Sequence, residues 1–99
     1  MTELPPIRDL LAVHGLWADK GLGQHFLLQT DWTERIARLA GDLRGVQVIE
    51  IGPGPGGLTR SLLKTHAAKV TAIEMDRRFA PLLEVLGDAD PARFALVFG

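Results

Sequence analysis

Apolar and polar positions along this chain recur with two different periods, and the places where the period changes mark its elements. Ile7, Leu10, Leu11 and His14 fall at helical spacing behind Pro5-Pro6 and ahead of Gly15, which predicts a short helix with proline at its start and glycine at its exit. Leu16 to Leu28 is punctuated by glycine and predicts irregular chain. It leads into a helix that Asp31 is expected to cap, with Glu34 reaching back from three residues on. Trp32, Ile36, Leu39, Ala40 and Leu43 then recur at spacings of three and four, which predicts one apolar stripe laid against a sheet.

After Gly45 the pattern shortens. Val46-Gln47-Val48-Ile49-Glu50-Ile51 is brief and β-branched and runs into a glycine-rich turn, the signature of a buried parallel strand. A helix is expected from about Gly57 to His66, with Leu58, Leu62 and Leu63 inward. Lys69 to Ile73 repeats the strand signal and Glu74-Met75-Asp76 closes it, Asp76 in the role of a helix cap. Phe79, Leu82, Leu83 and Leu86 mark a further amphipathic helix, which accommodates Pro81 only in its first turn. Phe94-Ala95-Leu96-Val97-Phe98 is a third strand. Strand and helix in alternation predict an α/β fold, a parallel sheet of three strands with right-handed crossovers, one half of a doubly wound domain.

Composition narrows the classes of function. Ninety-nine residues with 46% apolar content describe one globular unit without repeats or low-complexity tracts. No apolar run approaches the roughly 20 residues of a membrane-spanning helix. The opening Met1-Thr2-Glu3-Leu4-Pro5 lacks the basic-then-apolar layout of a secretory signal, so a cytoplasmic location is expected. There is no cysteine, and His14, His25 and His66 lack ligand spacing, so neither metal nor thiol chemistry is expected. Eleven basic residues against twelve acidic ones give a net charge of -1, which does not draw the whole chain onto nucleic acid. With RNA as partner, much of the grip would lie elsewhere.

Candidate chemistry sits at the first strand-to-helix turn, Glu50-Ile51-Gly52-Pro53-Gly54-Pro55-Gly56-Gly57. Glycine at alternate positions admits backbone conformations closed to other residues and lets a flat ligand approach the main chain. The plain alternative is a tight turn. A dinucleotide fold wants Gly-x-Gly-x-x-Gly with pyrophosphate on the helix, whereas these glycines follow the acidic Glu50, which would repel pyrophosphate. A carboxylate there suits the ammonium and sulfonium of S-adenosylmethionine instead. Glu74, at the end of the next strand and about 20 residues beyond the turn, is placed to accept both ribose hydroxyls of an adenosine. Its plain alternative is a solvated charge at a strand end.

Leu22-Gly23-Gln24-His25-Phe26-Leu27, then Glu50-Ile51-Gly52-Pro53-Gly54 with Gly57-Leu58-Thr59 and Leu62-Leu63, then Ala72-Ile73-Glu74-Met75-Asp76-Arg77, resemble in order the motifs of the ribosomal RNA adenine N6-dimethyltransferases. The similarity runs from about Leu4 to Gly99, and the Gly-Gln-His-Phe-Leu segment is its most family-specific part. The resemblance implies a partial Rossmann-like S-adenosylmethionine-dependent methyltransferase fold. In it, residues 1–30 form an N-terminal extension and cofactor-covering segment, and residues 31–99 form the Rossmann-like half. It implies cofactor contacts from Gln24, His25 and Leu27, with His25 where asparagine is frequent, from Glu50, Gly52 and Gly54 beside the methionine part, and from Glu74 at the ribose. Phe26, Leu58 and Leu62 read as core.

The same resemblance implies dimethylation of adenine N6 in small-subunit ribosomal RNA, with that RNA or the assembling small subunit as partner. The family holds its target base with an Asn-x-Pro-Tyr motif after a fourth strand, and this chain has neither asparagine nor tyrosine. No catalytic residue is therefore expected within it, and the 99 residues alone are expected to be inactive. An aspartate that binds the cofactor's adenine would also come after Gly99. Two other readings share the motifs: a related methylase of large-subunit RNA, and a non-catalytic nucleoside-binding module. In the family's fold the first strand is central, so this chain is expected to expose Val48, Ile49 and Ile51 on an edge and to self-associate.

Overall fold

A computed structural model of the chain describes residues 3–16 and 30–99. Helix α1 (Ile7–Val13) starts directly after Pro6 and ends before Gly15, whose φ of 67° needs glycine. Helix α2 (Thr30–Leu39) is followed by strand β1 (Gln47–Ile51), helix α3 (Gly57–Leu63) and strand β2 (Lys69–Glu74). A 3-10 turn at Arg77–Phe79, helix α4 (Ala80–Ala89) and strand β3 (Phe94–Phe98) complete the order. Pro81 does sit in the first turn of α4, where its missing N–H has no partner to lose. Asp76 caps the 3-10 turn, its Oδ1 accepting from the Arg78 N–H at 3.0 Å.

The sheet is parallel throughout, in the order β1-β2-β3, with Glu50 beside Ala72 and Glu74 beside Phe98. Both crossover helices lie on one face. There Val70 and Ala72 are fully buried beneath Leu62, Leu63, Leu83 and Leu86, with Phe94 at their side. α1 packs outside this layer, where Ile7 and Leu11 close on Leu82. The opposite face carries Ile49, Ile51 and Val97, exposed by 66%, 74% and 47%. β1 is accordingly not the buried strand that its composition predicts. It is an edge with one bare apolar face, and of the three residues expected to be exposed, Val48 is half-buried on the helix side.

Helix α2 also departs from expectation. Trp32, Ile36 and Leu39 are 43%, 41% and 86% exposed, Ala40 is exposed, and of the expected stripe Leu43 alone is buried. The helix packs on α3 rather than on the sheet, and it does so through its small residues. Thr33 and Ala37 are buried, and the Ser61 hydroxyl donates to Thr33 Oγ1 at 2.7 Å. Close approach of two helices favours small side chains at the crossing, which put Thr33 and Ala37 inward and turned the larger residues out. Asp31 lies inside the helix rather than at its cap, and Glu34 reaches Lys64, just past the end of α3, at 3.2 Å instead of its own backbone. α3 ends at Leu63, three residues short of the expected limit, where the Thr65 hydroxyl takes the Leu62 carbonyl at 2.5 Å.

Two arginines tie distant segments together. Arg93 donates to the carbonyls of Leu63, Thr65 and Ala67 at 2.8–3.1 Å and to Asp90 at 3.0 Å, fixing the α3–β2 connection to the start of β3. Arg60 donates to the Pro5 carbonyl at 2.6 Å, strapping the N-terminal segment to α3, and burial pushes its pKa down.

The α2–α3 contact gives a direct test. Ala37→Leu should destabilise the chain by about 1–3 kcal/mol through overpacking, whereas Leu39→Ser should stay within roughly 0.5 kcal/mol of the parent. Urea unfolding of both variants checks this, and the reverse ranking would mean that α2 buries its large residues after all.

Candidate functional site

The glycine turn leaves β1 at its carboxyl end and enters α3, the position at which parallel α/β sheets present a crevice. Gly52, Gly54 and Gly56 have φ of 68°, 57° and 93°, a region that costs other residues roughly 1–2 kcal/mol. The two sorts of glycine do different work. A Cβ on Gly56 would stand 3.2 Å from Leu83 Cδ2, so this glycine lets α3 close on α4. Among the described residues, a Cβ on Gly52 or Gly54 would meet nothing within 4 Å, so these two leave main chain open there to an approaching flat ligand.

Two carboxylates hold the turn. Glu74 is only 7% exposed, and both of its oxygens are engaged: Oε1 accepts from the Gly54 N–H at 2.8 Å and Oε2 from the Asp76 N–H at 2.9 Å. It is not a solvated strand end. Each oxygen keeps a further lone pair, so the group can tie the turn and still accept a hydroxyl. Glu50 lies on the same face of the adjacent strand and accepts from the Thr59 hydroxyl at 2.5 Å, joining the last turn of β1 to the first turn of α3. Burial raises its pKa; the Thr59 hydrogen bond opposes that rise and the nearby Glu74 charge adds to it.

Of the residues expected to touch a cofactor, Glu50, Gly52, Gly54 and Glu74 are brought together here, while Gln24, His25 and Leu27 lie outside the described residues. Thr59 is an addition that sequence reasoning missed as a partner of Glu50. Its spacing of nine residues from Glu50 carries no periodic signal, and only the fold back from strand to helix joins them. The donor set fits a cationic nucleoside such as S-adenosylmethionine: open glycine backbone for its amino-acid part, two carboxylates of opposite sign to the ligand, and lone pairs for ribose hydroxyls. Among the described residues no group of histidine and acidic side chains could hold a metal ion, and no helix is long and apolar enough to cross a membrane.

Comparison with known proteins gives the same direction. Residues 17–89 match the family described as ribosomal RNA adenine dimethylase. The chain is 54% identical over all its 99 residues to the ribosomal RNA small subunit methyltransferase A of Novosphingobium aromaticivorans, covering 36% of that protein. It is 57% identical over 99 residues to the protein of the same name from Phenylobacterium zucineum, covering 34% of it. The chain thus spans about a third of the length of these relatives. Among solved structures, a methyltransferase from Methanococcus maripaludis, described as S-adenosyl-L-methionine-dependent, aligns with a TM-score of 0.60 at 23% identity, over 100% of this chain and 45% of that one. Phosphoethanolamine N-methyltransferase 1 of Haemonchus contortus, solved with S-adenosylhomocysteine, aligns at 0.58 and 19% over 95% of this chain and 21% of that one. At these identities the structural likeness shows the Rossmann-like methyltransferase fold.

Both carboxylates yield stability predictions. Glu74→Ala strands two N–H groups at a buried site and should cost about 2–6 kcal/mol, at 1–3 kcal/mol for each group left unpaired; an unchanged unfolding midpoint would contradict the double tie. Glu50 has a folded-state pKa above its ordinary value of 4.5. Its contribution is therefore most favourable below that pH and is lost as pH rises through the raised value. Glu50→Gln keeps an oxygen for Thr59 and should remove that step, so that the variant gains on the parent as pH climbs above 4.5. Thermal melts across this range would show the parent and variant curves parallel if the carboxyl were not desolvated.

Proposed function

Because the chain belongs to the ribosomal RNA adenine dimethylase family, we propose that it forms the cofactor-binding part of an enzyme that dimethylates adenine N6 in small-subunit ribosomal RNA, with S-adenosylmethionine as methyl donor. The observation that carries this reading is the open backbone at Gly52 and Gly54 with Glu74 tied to Gly54 at 2.8 Å. When bound, S-adenosylmethionine supplies a methyl group made electrophilic by its sulfonium sulfur. The chain's own residues bind and orient it. Gly52 and Gly54 admit the methionine part against the main chain, Glu50 offers its charge to the ammonium, and the remaining lone pairs of Glu74 accept the ribose hydroxyls. Gln24, His25 and Leu27 would fold over the bound cofactor as part of a segment spanning residues 1–30, with residues 31–99 as the Rossmann-like half.

No residue here is assigned to the transfer itself. The amine of the target base has to be aimed at the methyl group, and neither the asparagine nor the tyrosine of the family's base-holding Asn-x-Pro-Tyr motif is in this sequence. The 99 residues alone therefore bind cofactor without methylating RNA. The small-subunit assignment is supported by the relatives named above, and a ribosomal substrate supports a cytoplasmic location. Alone, the chain also self-associates through the edge of β1 and the bare face carrying Ile49 and Ile51, because unpaired strand edges with apolar faces recruit other chains.

Calorimetry tests the cofactor. S-adenosylmethionine should bind and NAD should not, and Glu74→Ala should weaken the former by about 1.5–3 kcal/mol, the range for a hydrogen bond to a charged group. Preference for NAD, or Glu74→Ala binding as tightly as the parent, would remove the site. Sedimentation at micromolar concentration should show association that falls with Ile51→Lys, and a strictly monomeric parent would refute the exposed-edge argument.

A further inference from the structure

The near-neutral net charge hides a local excess. Residues 35–69 hold six arginines and lysines against two acids, in a chain whose net charge is -1. Four of these cations gather at the amino ends of the strands, the end of the sheet remote from the glycine turn. Lys69 opens β2 opposite Gln47, and Arg44 bridges to Ala67. Arg38 and Lys64 line a groove of about 270 Å³ between α2 and α3, together with Glu34, Ala37, Ser61 and Thr65. All four cations are exposed.

Two features keep this surface positive. Of the acids nearby, Glu34 on Lys64 at 3.2 Å and Asp42 on Arg44 at 3.4 Å form surface pairs, and Asp90 is held by Arg93 at 3.0 Å. Surface pairs are worth about 0–1 kcal/mol, so an incoming phosphate competes with them easily. The carboxyl end of α3 would ordinarily present its carbonyls, the negative end of the helix dipole, to an arriving anion. Here the last carbonyl of the helix, that of Leu63, is drawn onto the Arg93 guanidinium together with those of Thr65 and Ala67 just beyond it. The repulsive end of the helix is thus neutralised from within.

We propose that Arg38, Arg44, Lys64 and Lys69 form a docking surface for the sugar-phosphate backbone of RNA, separate from the cofactor turn. The inference rests on the reading of RNA as substrate and adds where the RNA is gripped. Contacts of this type hold the nucleic acid in register without reading its sequence. That role suits the end of the sheet that carries no base-binding chemistry.

The test uses the full 99-residue chain and a labelled RNA hairpin with a duplex stem. For two or three phosphates contacted, the parent's affinity should fall about 10- to 40-fold between 50 and 200 mM salt, at a slope of about 0.9 per phosphate. The triple variant Arg38→Glu/Lys64→Glu/Lys69→Glu should lose that salt dependence together with the binding. Lys69→Glu alone should weaken binding more than Arg8→Glu, which changes the charge equally on α1. Circular dichroism and S-adenosylmethionine calorimetry should be unchanged in every variant, since all the altered residues are exposed and far from the turn. A triple variant with the parent's slope, equal effects of Lys69→Glu and Arg8→Glu, no RNA binding by the parent at 50 mM salt, or equal competition by polyglutamate would each overturn the docking surface. Loss of S-adenosylmethionine binding by the parent itself would instead count against the methyltransferase reading.

Discussion

Neighbouring parallel strands joined by a right-handed crossover must carry the connecting helix on one prescribed side of the sheet, and in this chain that rule acts twice in the same direction. β1 passes to β2 through α3, and β2 to β3 through α4, so both helices cover the same face. Everything else in the molecule follows from that side. The covered face gathers Val70, Ala72, Leu63, Leu83 and Leu86 into one core, the other face is left with Ile49, Ile51 and Val97 in the open, and β1 stays an edge. The same crossovers bring the ends of β1 and β2 together, so that Glu74 meets a turn 20 residues earlier in the chain.

That meeting places two carboxylates on the helix-covered face, which is a cost. Glu50 is raised in pKa by burial with Glu74 adding to the rise, and among the described residues neither side chain is paired with a cationic one. Buried charges are tolerated when hydrogen bonds satisfy them, and here a hydroxyl and two backbone N–H groups do so. The arrangement is more demanding than an apolar turn would be. It also leaves an excess of negative charge beside open glycine backbone, the environment in which a cationic ligand relieves what the protein alone does not. Strain against stability at a site of this kind is a common accompaniment of binding function.

Charge is distributed by the same architecture. Strand ends, helix ends and their connections segregate to the two ends of the sheet, the carboxyl end holding Glu50 and Glu74, with Asp76 there paired to Arg78, and the amino end Arg38, Arg44, Lys64 and Lys69. Within the amino end, Arg93 holds the α3–β2 connection against the start of β3, and its carbonyl acceptors lie 26 to 30 residues away in sequence. A net charge near zero therefore describes the composition of the chain and not the field at either end of it.

Local regularities were legible in the amino-acid order alone. The three strands, the proline at the start of α4, the Asp76 cap and the glycine turn each depend on residues within a few positions of one another, through side-chain period, fixed φ or a short hydrogen bond. Glu50, Gly52, Gly54 and Glu74 were recognisable as a set because glycine spacing and a strand-end acid carry their own chemistry. What stood opposite each element was decided only by tertiary structure. A stripe at Trp32, Ile36 and Leu39 says that one side of α2 is apolar, yet the side that packs is chosen by how closely α3 can approach, and Thr33 and Ala37 allow the closer contact. Likewise β1 has the composition of a buried strand, but burial needs cover on both faces, and both crossovers place their helices on the other face. The hydrogen bonds between Glu74 and Gly54, Thr59 and Glu50, and Arg93 and Leu63 join residues 9 to 30 positions apart, and no periodicity in the chain encodes pairings that only the path of the backbone brings within reach.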